Sequence, residues 1–396
     1  MKRILAILCV AFLLMPIASS ALAADGQIDP SLANASEIKL GVAITLTGPQ
    51  SSVGRESERG IELAVKEIND AGGILGKKFQ VIKYDEKGDP QESLKVVTRL
   101  IEQDQVNVIF GPLSSNSMMA VGEYVNNAKT VTMGPAVGVV WTNQGWDYVF
   151  RCTSNTYMQC VQAADLIEKQ GYKKIAIFNI NEEYGNNSRK DIIALLEKKN
   201  IGIQIVANEV YKNGDTDFTS QSVRIANSGA DCVFLVGWAN DCGSLLKQIR
   251  RSGFEGPIVG DNSLPGLPVR EVAGSASDDV YCTAAYILPD TVAEIDTNPS
   301  FTSPMINKFL HAYYKEFKEL PTNDNCYRSY DGIYIIAEAI KNAKSIKSAD
   351  IQKALSNIDN FDRIAGVFSY VGNHGEGIYT VNVYRFVDGK VELFTY

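Results

Sequence analysis

The stretch "NVIFGPLSSNSMMAVGEYV", residues 107–125, decides how this chain folds. Val108 to Phe110 is a short continuous apolar run, the pattern of a strand covered on both faces in a parallel sheet. Gly111-Pro112 ends the run, and Ser114, Ser115, Asn116 and Ser117 follow it. Beyond them the spacing predicts a helix from Ser117 to Asn127. In an open parallel sheet, such a handover is where ligands bind. The first N–H groups of the helix are unpaired there and carry partial positive charge. Ser and Asn are also good helix caps. One cap needs one side chain and four polar residues are present, so capping and ligand binding both stand as readings of the cluster.

Working outward, the same alternation recurs. "IKLGVAIT" (38–45) reads as a strand, and Ile61, Ala64, Val65 and Ile68 make one stripe of a helix that ends at Gly72-Gly73. "FQVIKYD" (79–85), a helix over "PQESLKVVTRLIEQ" (90–103) and the strand "TVTMG" (130–134) complete a first block. A second block starts after residue 150. Its strands are "KIAIFNI" (174–180), "IQIVANEV" (203–210), "DCVFLVG" (231–237) and "PIVGD" (257–261), with helices over about 184–199, 218–227 and 243–251. Two successive βα blocks predict an α/β fold with two doubly wound parallel-sheet lobes. Helices near 303–318, 328–343 and 348–357 follow, and the C-terminal stretch predicts a hairpin turning at Asp388-Gly389.

The first residues read as an address rather than as structure. Lys2 and Arg3 precede an apolar stretch from Ile4 to Ile17, and Ala21-Leu22-Ala23 is a small-x-small cleavage site. The expectation is a signal peptide over 1–23, cut after Ala23, then a flexible tail over 24–36 and export to the periplasm. No later segment reaches the ~20 uninterrupted apolar residues of a membrane span. The chain carries a net charge of −8, about −10 once Lys2 and Arg3 are removed, and it has no basic run. Nucleic acid and anionic membrane are therefore poor partners. Six cysteines remain after Cys9 leaves with the signal peptide: Cys152, Cys160, Cys232, Cys242, Cys282 and Cys326. An oxidising compartment permits disulfides, the spacing gives no zinc pattern, and burial as small apolar side chains is the other reading.

Several further strand ends carry candidate ligand contacts. "TMGPAVGVVW" (132–141) sets Pro135, Ala136 and Val137 among small residues, which lets a ligand approach the backbone. Tyr184-Gly185, Trp238 and Asp261 each follow an apolar run in the second block. Aromatics, a carboxylate and hydroxyls at strand ends of two lobes suggest a cleft for a small polar or zwitterionic ligand. Each aromatic taken alone is as well explained by packing. Catalysis finds little support. His311 and His374 have no partner motif, and no nucleophile elbow, zinc-protease or dinucleotide signature occurs. "GGILGKK" (72–78) fails as a phosphate loop on spacing and reads as a turn. No cofactor and no metal are expected.

At this point the residues resemble a family, the type I periplasmic binding proteins of the leucine/isoleucine/valine-binding group, which capture solutes for ABC transporters. The resemblance runs from about Glu37 to the C-terminus. It is carried by "IKLGVAITLTGPQSSVGRESERGIELAVKEINDAGGILGKK", "YDEKGDPQESLKVVTRLI", "VIFGPLSSNS", "NEEYGNNS" and "DFTSQSVRIANSGADCVFLVG", in that order. It implies two lobes joined by three crossovers, lobe one as 37–151 plus 283–373 and lobe two as 152–282 plus 374–396. The ligand is expected in the cleft, captured by hinge closure, with a membrane permease as partner and a monomeric protein. By resemblance, Ser115 holds a ligand carboxylate, Pro135, Ala136 and Val137 flank the head group, Tyr184 and Trp238 cover the ligand, and Asp261 or its neighbour Asn262 meets an ammonium. Asn116 and Ser117 are expected to cap their helix, with Asn116 also beside the ligand.

The departures from the family bear on the ligand. Val137 stands where many members have Thr, Val53 where a Trp is common in the side-chain pocket, and Asn325 or Cys326 where an aromatic is. Gly88 and Ser114 occupy the positions of a family disulfide, and a bridge between Cys152 and Cys282 at the crossovers is a separate possibility. A branched-chain amino acid is the group's default ligand. Another amino acid, an amide or urea-like compound and an aromatic acid remain alternatives, as does a sensing role for the same fold.

Overall fold

The computed structural model describes residues 27–297, 304–377 and 381–395. The predicted signal peptide lies outside the described residues. A first sheet is built from β1 (Ile38–Ile44), β2 (Phe79–Asp85), β3 (Val108–Phe110), β4 (Thr132–Gly134) and β5 (Val149–Arg151). All its pairings are parallel, in the order β2-β1-β3-β4-β5. The apolar runs are continuous because both faces are covered. Leu40, Val42 and Ile44 of β1 point into one core with Ile61 and Val65, whereas Ala43 points into the other with Val97, Leu100 and Val121.

The second sheet takes β6 (Lys174–Ile180), β7 (Gln204–Tyr211), β8 (Cys232–Val236), β9 (Ile258–Gly260) and β10 (Val280–Ala284). After a small hairpin, β11 (Phe361–Arg363) and β12 (Gly366–Phe368), the chain adds β13 (Asn382–Val387) and β14 (Lys390–Leu393) to that sheet. The order is β14-β13-β10-β9-β8-β6-β7, antiparallel at β13 and β14 and parallel elsewhere. The closing turn falls at Asp388-Gly389, both with positive φ (50° and 76°), as a two-residue hairpin requires. Among the described residues no helix is long and apolar enough to cross a membrane.

Between β10 and β13 the chain returns to the first sheet. The helix Asn325–Ala343 packs on the helix Ser51–Asp70, with the Ser57 and Ser329 hydroxyls 2.6 Å apart. Tyr330 and Tyr334 both donate to Glu67, at 2.5 and 2.7 Å, and Tyr313 donates to the buried Glu56 at 2.6 Å. Residues 152–155, the segment after β10 and the segment after β12 thus cross between the sheets.

Three expectations change. Residues 30–33, predicted as tail, form a helical turn capped by Asp29 and docked by the buried Leu32, and Lys347 pairs with Asp29 at 2.9 Å. The helix predicted from Ser117 begins at Ser115, and the one predicted from about 243 begins at Ala239. β5 was not foreseen, since three buried residues give too short a run to separate from a loop.

Candidate functional site

The four polar residues after β3 have four different jobs. Gly111 leaves the strand with φ +94°, and a Cβ there would lie 1.9 Å from the Ala43 carbonyl oxygen, so only glycine fits. Ser114 is the N-cap, its hydroxyl accepting from the Ser117 N–H at 3.1 Å. Ser115 Oγ accepts from the Gly138 N–H at 3.0 Å, and no described residue takes its O–H. Asn116 reaches across to the second lobe, where Oδ1 accepts from the Glu183 N–H at 2.9 Å at the start of the helix Glu183–Lys199. Ser117 turns inward, 2.8 Å from Ser93 Oγ and 3.3 Å from the fully buried Glu86 carboxylate. Burial pushes the Glu86 carboxyl up, and the hydroxyls of Thr45, Ser93 and Ser117 work against that shift. The expectation that Asn116 and Ser117 cap their own helix is therefore corrected. Ser114 caps it, because its extended backbone turns the hydroxyl back over the first turn (φ −94°, ψ 152°).

The second lobe contributes the opposite wall. Tyr184 and Trp238 follow β6 and β8, and their rings lie 5.7 Å apart at 50°. Tyr184 Oη donates to Asp261 Oδ2, and Asp261 Oδ1 accepts from the Ser263 N–H at 3.0 Å and hydroxyl at 2.6 Å. Asp261 is 3% exposed, and burial pushes its carboxyl up. Trp238 Nε1 donates to Glu182 at 3.1 Å, whose carboxyl is likewise raised by burial.

A cavity lies between the carboxyl ends of the two sheets. Val53, Ser115, Pro135, Ala136, Val137, Tyr184 and Trp238 all line it. Two predicted residues do not. Asn116 is committed to Glu183, and Asp261 sits behind Tyr184 and Ser263, leaving Asn262 and Ser263 to face the cavity. Of the residues that enter at the start of the helix Asn325–Ala343, sequence reading placed Asn325 at the pocket and missed Asp324 and Arg328. Arg328 is 5% exposed and Nη2 donates to Asp324, which also accepts from Asn262 Nδ2 at 3.0 Å. Burial opposes the charge of Arg328, and Asp324 with its neighbours counters that effect, so the guanidinium stays protonated. The sequence shows only an acidic and a basic residue at i,i+4, the ordinary pattern of a solvated helix pair, and nothing local marks this pair as buried.

The wall at 135–138 is itself held from behind. Arg151, fully buried at the end of β5, donates to the carbonyls of Ala136 and Gly138 and to Glu376 Oε1 at 2.9 Å, and lies 4.1 Å from the Trp141 ring centre. The six cysteines are all buried and unpaired, so the bridge between Cys152 and Cys282 is not formed; burial raises each thiol instead. Among the described residues no group of three or more His, Cys, Asp or Glu is placed to hold a metal ion.

Comparison with known proteins places this geometry. Residues 37–390 match the family model described as periplasmic binding protein. The Leu/Ile/Val-binding protein homolog 7 of Brucella suis is 28% identical over 335 residues, covering 82% of each chain. The leucine-, isoleucine-, valine-, threonine-, and alanine-binding protein of Pseudomonas aeruginosa is 25% identical over 338 residues, 85% of this chain and 86% of that one. Among solved structures, the branched-chain amino acid transporter substrate binding protein LivJ of Streptococcus pneumoniae, in complex with isoleucine, superposes with a TM-score of 0.79. It is 27% identical, over 90% of this chain and 98% of that one.

Proposed function

This chain belongs to the periplasmic binding protein family, and on that premise we propose that it is the substrate-binding component of an ABC uptake transporter, capturing a small amino acid or related carboxylate between its lobes. The observation that carries the reading is the cavity between the lobes, lined by Ser115 at the start of the helix Ser115–Asn127. Ser115 keeps an O–H to donate, and the helix N–H groups behind it favour an anion. Lobe one comprises 37–151 and 285–373, and lobe two 152–284 and 374–396, the boundary expected at 283 moving because Thr283 and Ala284 belong to β10 of the second sheet. The chain is exported to the periplasm with cleavage after Ala23, works as a monomer, delivers its ligand to a membrane permease and catalyses no reaction.

A thermal-shift screen of the ligand-stripped protein against amino acids, amides and aromatic acids tests the proposal. A ligand at 100 times its Kd stabilises by about 2.7 kcal/mol. A hydrogen bond to a charged carboxylate contributes about 1.5–3 kcal/mol, so Ser115→Ala should weaken that ligand roughly 10- to 100-fold in a calorimetric titration. Unchanged affinity removes Ser115 from the site, and turnover of the ligand removes the transport reading.

A further inference from the structure

Arg328 and Asn262 leave hydrogen-bonding capacity unused inside the cavity. The guanidinium gives Nη2 to Asp324, while among the described residues Nε and Nη1 find no acceptor. Asn262 gives Nδ2 to Asp324 at 3.0 Å, and its Oδ1 is buried without a partner. That amide cannot be turned over, because its oxygen would then face the Asp324 carboxylate. Asn262 Oδ1 is desolvated with no partner, which is costly unless a ligand meets it, and the unused Arg328 donors belong to a side chain that lines the same cavity.

The charge balance says what kind of group does so. Arg328 is already neutralised by Asp324, and a second carboxyl group, Asp261, lies behind Tyr184. A further buried anion would leave the cluster with excess negative charge and little solvent to screen it. A neutral group with a carbonyl oxygen and an adjacent N–H has both complements and adds no charge. We propose that Arg328 and Asn262 recognise a carboxamide on the ligand, its oxygen accepting from Arg328 and its NH2 donating to Asn262 Oδ1. This rests on the solute-capture reading above and names the ligand class, an amino acid with a carboxamide side chain or a simple primary amide. Because Asn262 comes from the second lobe and Arg328 from a helix packed on the first sheet, the pair is assembled only when the lobes meet.

The test is calorimetric titration of the ligand-stripped protein with glutamine, asparagine, glutamate, leucine and butyramide. The expected result is that glutamine or asparagine, or butyramide if no amino-acid head group is needed, binds at least tenfold tighter than leucine and glutamate. Asp324→Asn combined with Arg328→Leu, which removes the buried pair as a unit, should abolish that preference while leaving the melting temperature of the empty protein within a few degrees. Asn262→Ser gives an independent variant with the same expected loss of preference. Leucine binding as tightly as glutamine, or equal losses for both in the variants, would mean that the pair grips a common head group and overturns the inference while leaving solute capture intact. Binding of none of these compounds, with a hit elsewhere in the thermal-shift screen, also overturns it; no hit at all takes the capture reading with it.

Discussion

Asp191, on the helix Glu183–Lys199, buries one carboxylate oxygen that has no hydrogen-bond partner among the described residues. Burial raises its pKa from 3.8 to about 6, and only Lys190 opposes the shift. A folded-state pKa above the unfolded value means the native protein holds the proton more tightly. The contribution to stability is full below about pH 4 and is lost as pH rises through about 6. Asp191→Asn should therefore be more stable than the natural protein at pH 7.5, by about 1–2 kcal/mol after allowing for partial exposure, and equal to it near pH 4. Thermal unfolding at the two pH values checks this, and an equal difference at both would refute it. The cysteines make a second residue-scale prediction. All six are buried with raised thiol pKa, so a thiolate-seeking reagent should label none in the native protein and all six after denaturation. Intact mass should be the same with and without reductant.

At the scale of elements, the segment after β4 depends on Arg151. Its guanidinium ties the Ala136 and Gly138 carbonyls to Glu376, and the Arg151 backbone carbonyl accepts from Tyr370 at 2.6 Å, so one residue joins the ligand wall to the crossover after β12. Removing one partner of a buried ion pair costs about 3–5 kcal/mol. Arg151→Met should lower stability by that order in denaturant unfolding, and the surviving folded protein should bind more weakly because 136–138 is no longer held. An unchanged affinity would show that this wall keeps its shape unaided. The same scale shows what could be read in advance. The parallel strands were legible because burial on both faces leaves an unbroken apolar run, as in Val108–Phe110 and Cys232–Val236. Ser115, Tyr184 and Trp238 were legible because topology puts strand ends at the cleft. Arg328 and Asp324 were not, since they enter from a helix some 200 residues downstream of Ser115 whose packing is set by tertiary contacts. Nor was the aim of Asn116 and Asp261, because local spacing places a residue at a cleft without fixing where its side chain points.

For the whole molecule, the question is what holds the lobes together. Away from the cavity walls and the crossovers, the side-chain contacts across the cleft among the described residues are polar: Asn116 to the Glu183 N–H, Asn262 to Asp324, and Asn240, which accepts from Ser52 at 2.5 Å and donates to the Pro49 carbonyl. Each is worth about 0.5–1.5 kcal/mol net, because water replaces it when the lobes part. Their sum is small enough for a ligand's own contacts to decide between open and closed populations, which capture and release both require. Asn240 serves as the cleanest probe, lying at the exposed rim outside the ligand's reach. Asn240→Ala should weaken ligand binding about 2- to 10-fold, by the same range of energies. The change should reside in faster dissociation, since closure follows encounter. Stopped-flow release should show the increase with an unchanged melting temperature for the empty protein. A slower association with an unaltered release rate would instead mean that the rim contacts guide the ligand in and do not hold the lobes shut.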